Sequence, residues 1–211
     1  MIDLLKRWFL YLCVLLVNSF CTQGETTLNK DPDVLSVFNE KEISSLIEII
    51  YFYDNHVLKK EKEVSKAYFN YFDSISDLEV FENIIISKSG NWSKAELLLE
   101  ELKLNGVFNE IWKYDYEYDS KFTDTLYIRL SYNLQGKYFE LLKLKGNKYA
   151  YIFDYVNSIE NCHCIPPSSI TNFLKNNYKK TNFRKESNRL IWAIHYITVL
   201  YKKDYSQVQM E

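Results

Sequence analysis

Hydrophobic residues recur along most of the chain at the three- and four-residue spacing of amphipathic helices. The clearest run follows Asn39 and Glu42, whose spacing is that of a capping box, and it predicts a helix over residues 40–59. The apolar stripe of this helix consists of Ile43, Leu46, Ile47, Ile50, Val57 and Leu58. Similar stripes predict further helices over residues 64–75, 78–86, 93–112, 149–159 and 190–201, and another that begins at Pro167. Asn105 and Gly106 predict a break inside the third of these.

One segment, residues 124–144, fits two periodicities. As a strand it alternates Leu126, Ile128, Leu130 and Tyr132. As a helix it has a stripe of Tyr127, Leu130, Leu134, Tyr138 and Leu141. Its length and its helical neighbours favour the helix.

These patterns predict an all-α fold: one domain of about seven or eight amphipathic helices over residues 39–205. Residues 25–38 read as an extended leader, since Pro32 disfavours helix in the residue before it. The chain has only 5 glycines and 3 prolines, too few for the turns of a β-sandwich or barrel. It also lacks the clustered glycines of a dinucleotide fingerprint or a P-loop.

Residues 1–24 have the composition of a secretory signal peptide. Lys6 and Arg7 precede an apolar run over residues 8–17, and a polar stretch with small residues ends at Gly24. The run is shorter than the roughly 20 residues that span a bilayer, which favours a cleaved signal. In a rival interpretation the signal ends before Cys21, which carries the lipid of a lipoprotein, although Asn18 and Phe20 fit that motif poorly. The protein is therefore predicted to be exported, and to be periplasmic, secreted or anchored as a lipoprotein.

The charge of the chain limits its partners. A formal net charge of −2 is close to neutral for 211 residues and, with export, argues against a nucleic-acid partner. Membrane contact is expected only if Cys21 is lipidated.

The loop Cys162-His163-Cys164 offers two thiols and an imidazole within three residues. These groups could bind zinc or copper, although a structural zinc site needs four ligands. The two cysteines could also form a disulfide or a redox-labile pair, or play no chemical role. The metal candidates are therefore Cys162, His163 and Cys164.

Aromatic and acidic residues alternate over residues 112–119. In an extended conformation, rings would lie on one side and carboxylates on the other. This predicts a partner-binding surface of Trp112, Tyr114, Asp115, Tyr116, Glu117 and Tyr118. The alternative is a helix end followed by an exposed loop.

No catalytic signature and no cofactor motif accompanies these features, and His195 fits a core or interface histidine in the last helix. The leading functional hypothesis is an exported helical binding protein that acts on a protein or glycan in the cell envelope or outside the cell. Two alternatives stay open: a metal- or redox-dependent protein built on the Cys162 loop, and a structural envelope protein held by lipid at Cys21.

Overall fold

Helices dominate the part of the chain that the computed structural model describes, which is residues 27–58, 63–75, 92–119, 125–162, 173 and 176–204. Residues 1–24, the helix predicted over 78–86 and the start of the helix predicted at Pro167 lie outside these ranges. The described helices are α1 (Pro32–Val37), α2 (Glu40–Phe52), α3 (Val64–Ile75), α4 (Trp92–Leu104), α5 (Phe108–Ile111), α6 (Lys137–Gly146), α7 (Ala150–Cys162) and α8 (Glu186–Leu200). The strands are β1 (Trp112–Asp119), β2 (Thr125–Tyr132) and β3 (Lys202–Asp204).

The first predicted helix is confirmed at its start. The Asn39 side chain accepts a hydrogen bond from the Glu42 backbone N–H, and the Glu42 carboxylate accepts one from the Asn39 N–H. This capping box satisfies two of the backbone donors that every helix start leaves unpaired. Beyond Phe52 the chain widens into a π-helical turn over Tyr53–Val57.

The extended leader predicted over residues 25–38 is wrong. A 3-10 turn occupies Leu28–Lys30, and α1 begins at Pro32. Proline does restrict Asp31, which is extended, but its fixed φ suits the first position of a helix. The Asp31 side chain also accepts a hydrogen bond from the Asp33 N–H, so Asp31 caps this helix.

The helix predicted over residues 124–144 is also wrong in its first half. Residues 125–132 form β2, which pairs antiparallel with β1 from Trp112↔Tyr132 to Asp119↔Thr125 and also with β3. The strand order is β1-β2-β3, so the described chain is mostly helical, as predicted, with a small sheet that the all-α prediction did not include. The strand periodicity is the one that matches the structure, since the alternating side chains of Ile128, Leu130 and Tyr132 are buried.

Two glycines fix the turns on either side of the β1–β2 pair. Gly106 has a φ of +77°, which ends α4 and separates it from α5, as the predicted break required. Trp112 does not end that helical segment but begins β1, and α4 begins at Trp92, one residue before the predicted start at residue 93. A Cβ at Gly136 would collide with the carbonyl oxygen of Glu110, so only glycine allows the chain to turn there from β2 into α6.

Helix α8 lies at the centre of the core. Its residues 190–194 are all buried, so the helix is covered on every side rather than along one stripe. It packs against α2 and β2, and Trp192 contacts the rings of Phe72, Phe173 and Phe183. Of the helices in the described ranges, none is both long and apolar enough to cross a lipid bilayer.

Candidate functional site

The predicted partner-binding residues lie on β1, and the structure separates them by burial. Trp112 is fully buried, and its indole nitrogen donates a hydrogen bond to Thr198 on α8. Its prediction as a partner-binding residue is therefore wrong. Burial of the large ring in the core is strongly favourable, and the hydrogen bond satisfies its one polar group.

Tyr114 marks the transition from core to surface. It is half-buried, and its ring lies 5.1 Å from that of Phe108 and 6.1 Å from that of Tyr201, measured between ring centres. The ammonium group of Lys103 lies 4.9 Å from the centre of the Tyr114 ring and also bonds Glu100. These neighbours come from α4, α5 and the residue before β3, so Tyr114 is held in place from several elements.

The side chain of Lys113 is exposed, and the next exposed positions of β1 are Asp115 and Tyr116. Both are exposed, Tyr116 to 59% of its surface. The Asp115 carboxylate accepts a hydrogen bond of 2.9 Å from the Tyr116 backbone N–H. Glu117 and Tyr118 continue β1, and their side chains lie outside the described part of the structure. Residues 112–119 are extended, which is the conformation that separates the rings from the carboxylates, and they do not form a helix end with a loop.

The backbone of β1 has one side that points away from β2. At the start of the ladder, the Asn133 N–H donates to the Ile111 carbonyl, which makes that pair a hydrogen-bonded one. Hydrogen-bonded and non-bonded pairs alternate in an antiparallel ladder. The N–H and C=O groups of positions 113 and 115 therefore point at β2, and those of positions 112, 114 and 116 point the other way.

Two hydrogen bonds agree with this assignment. The Trp112 N–H turns back to the Phe108 carbonyl, and the Tyr116 N–H meets the Asp115 side chain instead of β2. Within the described ranges, no strand pairs with β1 on this outward side. Beyond Trp112, this side of β1 is an edge that no strand of the described ranges covers, and it is called the open edge in that sense.

The sequence did not predict the residues that support this edge. Lys103, Glu100 and Tyr201 contact or surround Tyr114 from segments separated from it along the chain. Burial acts to lower the pKa of Lys103, but Glu100 and Tyr114 together raise it above its ordinary value. No local motif signals this grouping, because it arises only when α4 and the end of α8 pack beside β1.

The metal and lipidation candidates lie mostly outside the described part of the structure. Cys162 is the last residue of α7, and its side chain is not described. His163, Cys164 and the lipidation candidate Cys21 lie outside the described residues. Among the residues that are described, no three His, Cys, Asp or Glu side chains are grouped as metal ligands.

His195 is a core residue, as its position in the last helix predicted. It is 1% exposed, and its Nδ1 hydrogen-bonds the Tyr155 hydroxyl, which in turn lies 2.7 Å from the hydroxyl of Tyr132. The rings of Phe173 and Trp192 pack against it. Burial lowers the pKa of His195 to about 3, so the imidazole is neutral at ordinary pH.

A charged cluster next to the π-helical turn also escaped the sequence analysis. The Asp54 carboxylate accepts hydrogen bonds from the Tyr68 hydroxyl at 2.7 Å and from Arg189 at 2.9 Å. Arg189 also bonds Glu186, which accepts from the Leu28 backbone N–H. Burial raises the pKa of Asp54 even though Arg189 opposes that shift. The cluster ties the N-terminal turn, the π turn, α3 and α8 together.

A second buried ion pair holds α1 against α6. The Lys145 ammonium, 6% exposed at its side chain, lies 2.6 Å from Asp31 and 3.3 Å from Asp33. Burial acts to raise the pKa of Asp31, but hydrogen bonds from Lys145 and Ser187 lower it below its ordinary value. Both charged groupings join elements of the fold.

Comparisons with known proteins assign no family to this arrangement. The chain matches no protein-family model, and neither the curated proteins nor the solved structures contain a match to it.

Proposed function

We propose that this chain is an exported binding protein that holds a partner at the open edge of β1, without chemistry of its own. The observation that carries the proposal is the change along one face of β1 from a buried anchor to an exposed end. Trp112 is fully buried, Tyr114 is half-buried and Tyr116 is 59% exposed. An exposed tyrosine on a strand that is anchored in the core is typical of a recognition surface.

A protein partner fits this edge better than a glycan. A sugar ring can stack on an exposed tyrosine, but it cannot continue the alternating N–H and C=O ladder of a strand. An extended polypeptide can pack on the ring and can also pair with outward backbone groups such as those of Tyr114. The edge has support from the core, because Trp112 is bonded to Thr198 and Tyr114 packs on Phe108.

Export is part of the proposal and rests on residues 1–24. Their two basic residues, apolar run and polar end are typical of a secretory signal. The binding protein would then act in the periplasm, outside the cell, or at a membrane through lipid on Cys21. Mass spectrometry of the protein purified from its host tests this. A mature N-terminus near residue 25, or a diacylglyceryl group on Cys21, is expected, whereas an intact Met1 on a cytosolic protein would contradict export.

A photo-cross-linking amino acid at position 116 tests the binding surface. Tyr51 on α2 is exposed to the same 59% and provides the matched control position. We expect the cross-linker at 116 to trap one protein in cells of the host, and the cross-linker at 51 to trap none. Equal products at both positions, or no product at 116, would contradict the proposal. A product that proves to be glycan would leave the surface in place and change the partner.

A further inference from the structure

Resting on the export in the proposed function but not on its β1 surface, we infer that a basic surface beside the N-terminal turn binds the anionic headgroups of a membrane. The basic surface is formed by α3 and by residues 178–185. Its exposed members are Lys66, Phe69, Lys179, Lys180, Arg184 and Lys185. The inference names a second partner, a lipid surface, and the side of the domain that faces it.

Aromatic contacts between α3 and residues 178–185 hold the basic surface together. The ring of Phe69 lies 5.3 Å from that of Tyr178, and the ring of Phe183 stacks on that of Tyr68 at 4.8 Å, both measured between ring centres. Tyr178, Phe183 and Tyr68 are buried. The segment is therefore fixed to the core by its rings, and its basic side chains remain at the surface.

The charge of the basic surface is opposite in sign to that of the whole chain. A guanidinium nitrogen of Arg184 lies 3.3 Å from a Glu63 carboxylate oxygen, and the Lys179 ammonium lies 4.0 Å from one of Asp73. The other cations of the surface have no described carboxylate within ion-pair distance, and they are Lys66, Lys180 and Lys185. The local excess is three positive charges, on a chain whose formal net charge is −2. Such an excess attracts an anionic surface.

An apolar ring lies among these cations. Phe69 is 41% exposed and follows Lys66 by three residues on α3, so the two side chains share one face of the helix. Exposed aromatic residues beside lysines are typical of surfaces that lie at the headgroup level of a bilayer, where the ring enters the lipid and the ammonium groups meet phosphates. The combination of this ring with lysines that no described carboxylate neutralises favours a lipid surface as the partner.

The basic surface adjoins the point where the N-terminal chain joins the domain. The Leu28 backbone N–H donates a hydrogen bond of 2.7 Å to Glu186, which directly follows Lys185. Leu28 comes seven residues after Cys21, and seven extended residues span at most about 25 Å. A lipid on Cys21 would therefore hold this side of the domain near the bilayer. Attachment at one residue does not by itself orient a domain, and the basic surface supplies the second contact that does.

Cosedimentation with lipid vesicles at low salt tests the inference, on the protein in the form that mass spectrometry identifies in its host. One set of vesicles contains phosphatidylglycerol in phosphatidylcholine, and the other contains phosphatidylcholine alone. A lipid on Cys21 or a retained apolar run would bind both sets, so a preference for the anionic set isolates the contribution of charge. We expect the protein to prefer the anionic vesicles and to lose this preference at high salt, because ions screen the attraction.

Matched charge variants locate the contact on the basic surface. The first variant combines Lys66→Gln, Lys180→Gln and Lys185→Gln. The control combines the same change at three exposed lysines of α2, β1 and α6, which are Lys41, Lys113 and Lys143. Each basic residue near an anionic membrane contributes about fivefold in affinity, so the first variant is expected to bind the anionic vesicles at least about tenfold more weakly. The control should bind them nearly as the parent does.

A matched aromatic pair tests contact of the ring with lipid. Phe69→Ala removes the ring of the basic surface, and Phe153→Ala removes a ring on α7 that is 52% exposed. We expect Phe69→Ala to weaken binding about threefold to fivefold, which corresponds to burial of about half a ring, and Phe153→Ala to leave it unchanged. Circular dichroism shows that each variant is folded before its binding is compared.

The outcomes separate this inference from the proposed function. Equal binding to both sets of vesicles, or an equal loss in the two lysine variants, would overturn the membrane contact. So would binding to soluble polyglutamate but to neither set of vesicles, which would indicate an acidic protein as the partner. Cross-linking at position 116 is independent of these results, and its failure would overturn the β1 surface instead. An intact Met1 on a cytosolic protein would overturn the export on which the inference rests.

Discussion

The indole nitrogen of Trp112 donates a hydrogen bond of 2.6 Å to the hydroxyl oxygen of Thr198, which joins the first residue of β1 to the last turn of α8. The Thr198 hydroxyl in turn donates to the Ile194 carbonyl of the same helix. Both residues are buried. The open edge of β1 is therefore held at its base by the most deeply buried helix of the described structure.

This bond makes the two residues energetically coupled. Thr198→Val leaves the buried indole N–H without its acceptor and is expected to lower the free energy of unfolding by about 1–3 kcal/mol. Trp112→Phe loses the bond and leaves a cavity, and it is expected to lower the free energy of unfolding by about 2–3 kcal/mol. In urea unfolding, the double variant should lose less unfolding free energy than the two single variants lose together, because no unpaired donor remains in it. Strictly additive losses would show that the bond contributes nothing.

Local patterns predicted those parts of the fold that depend on neighbours in sequence. The capping box of Asn39 and Glu42 and the break at Gly106 need only the nearby chain, and both are confirmed. Residues 125–132 carried two patterns at once, and only pairing with β1 selects the strand. No local pattern shows whether these residues form a helix or a strand.

The candidate site could be predicted only in part for the same reason. The alternation of residues 112–119 was compatible with an extended strand and with a helix end, and the strand is what forms. It could not reveal that Trp112 is buried, since its partner Thr198 lies 86 residues away. Nor could it indicate which side of β1 is open, because that depends on where β2 pairs.

The buried imidazole of His195 predicts a loss of stability in mild acid. Its folded pKa is about 3 and its ordinary value is 6.5, so the unfolded chain binds a proton that the folded chain does not. As pH falls below 6.5, unfolding is favoured by about 1.4 kcal/mol per pH unit, or about 2 kcal/mol by pH 5.

The variant His195→Gln removes this titration. It should be less stable than the parent at pH 7, since the ring is packed against Phe173 and Trp192. Its stability should fall less between pH 7 and pH 5, and the difference from the parent should therefore shrink by about 2 kcal/mol. Urea unfolding at the two pH values measures this. A constant difference would mean that His195 titrates normally in the folded protein.

Two lysines on or next to α6 offer a matched test of buried and exposed ion pairs. Lys145 and Lys148 both contact Asp33, but their side chains are 6% and 53% exposed. Lys145→Met leaves the half-buried carboxylate of Asp31 without its cation and is expected to lower the free energy of unfolding by about 2–3 kcal/mol. Lys148→Met should cost less than about 1 kcal/mol.

The pH dependence of the same ion pair has a defined direction. The pKa of Asp31 is lower in the folded protein than its ordinary value of 3.8. The stability that Asp31 contributes is therefore present above pH 3.8 and is lost as pH falls further through the folded pKa. The parent should lose stability over that acid range, and Asp31→Asn should lose less. The free energy of unfolding is measured in urea at each pH. An equal fall with pH in the parent and in Asp31→Asn would contradict the role of the ion pair.

The carboxylate of Asp115 is expected to keep the open edge of β1 from associating with other chains. Asp115→Ala removes both the acceptor for the Tyr116 N–H and one charge, so copies of the variant should associate as concentration rises. Asp115→Asn retains an acceptor oxygen and should stay monomeric. Glu48→Ala removes a charge elsewhere and controls for net charge. Sedimentation of the three variants decides the point, because association of Asp115→Asn and Glu48→Ala to the same extent would assign the effect to charge alone.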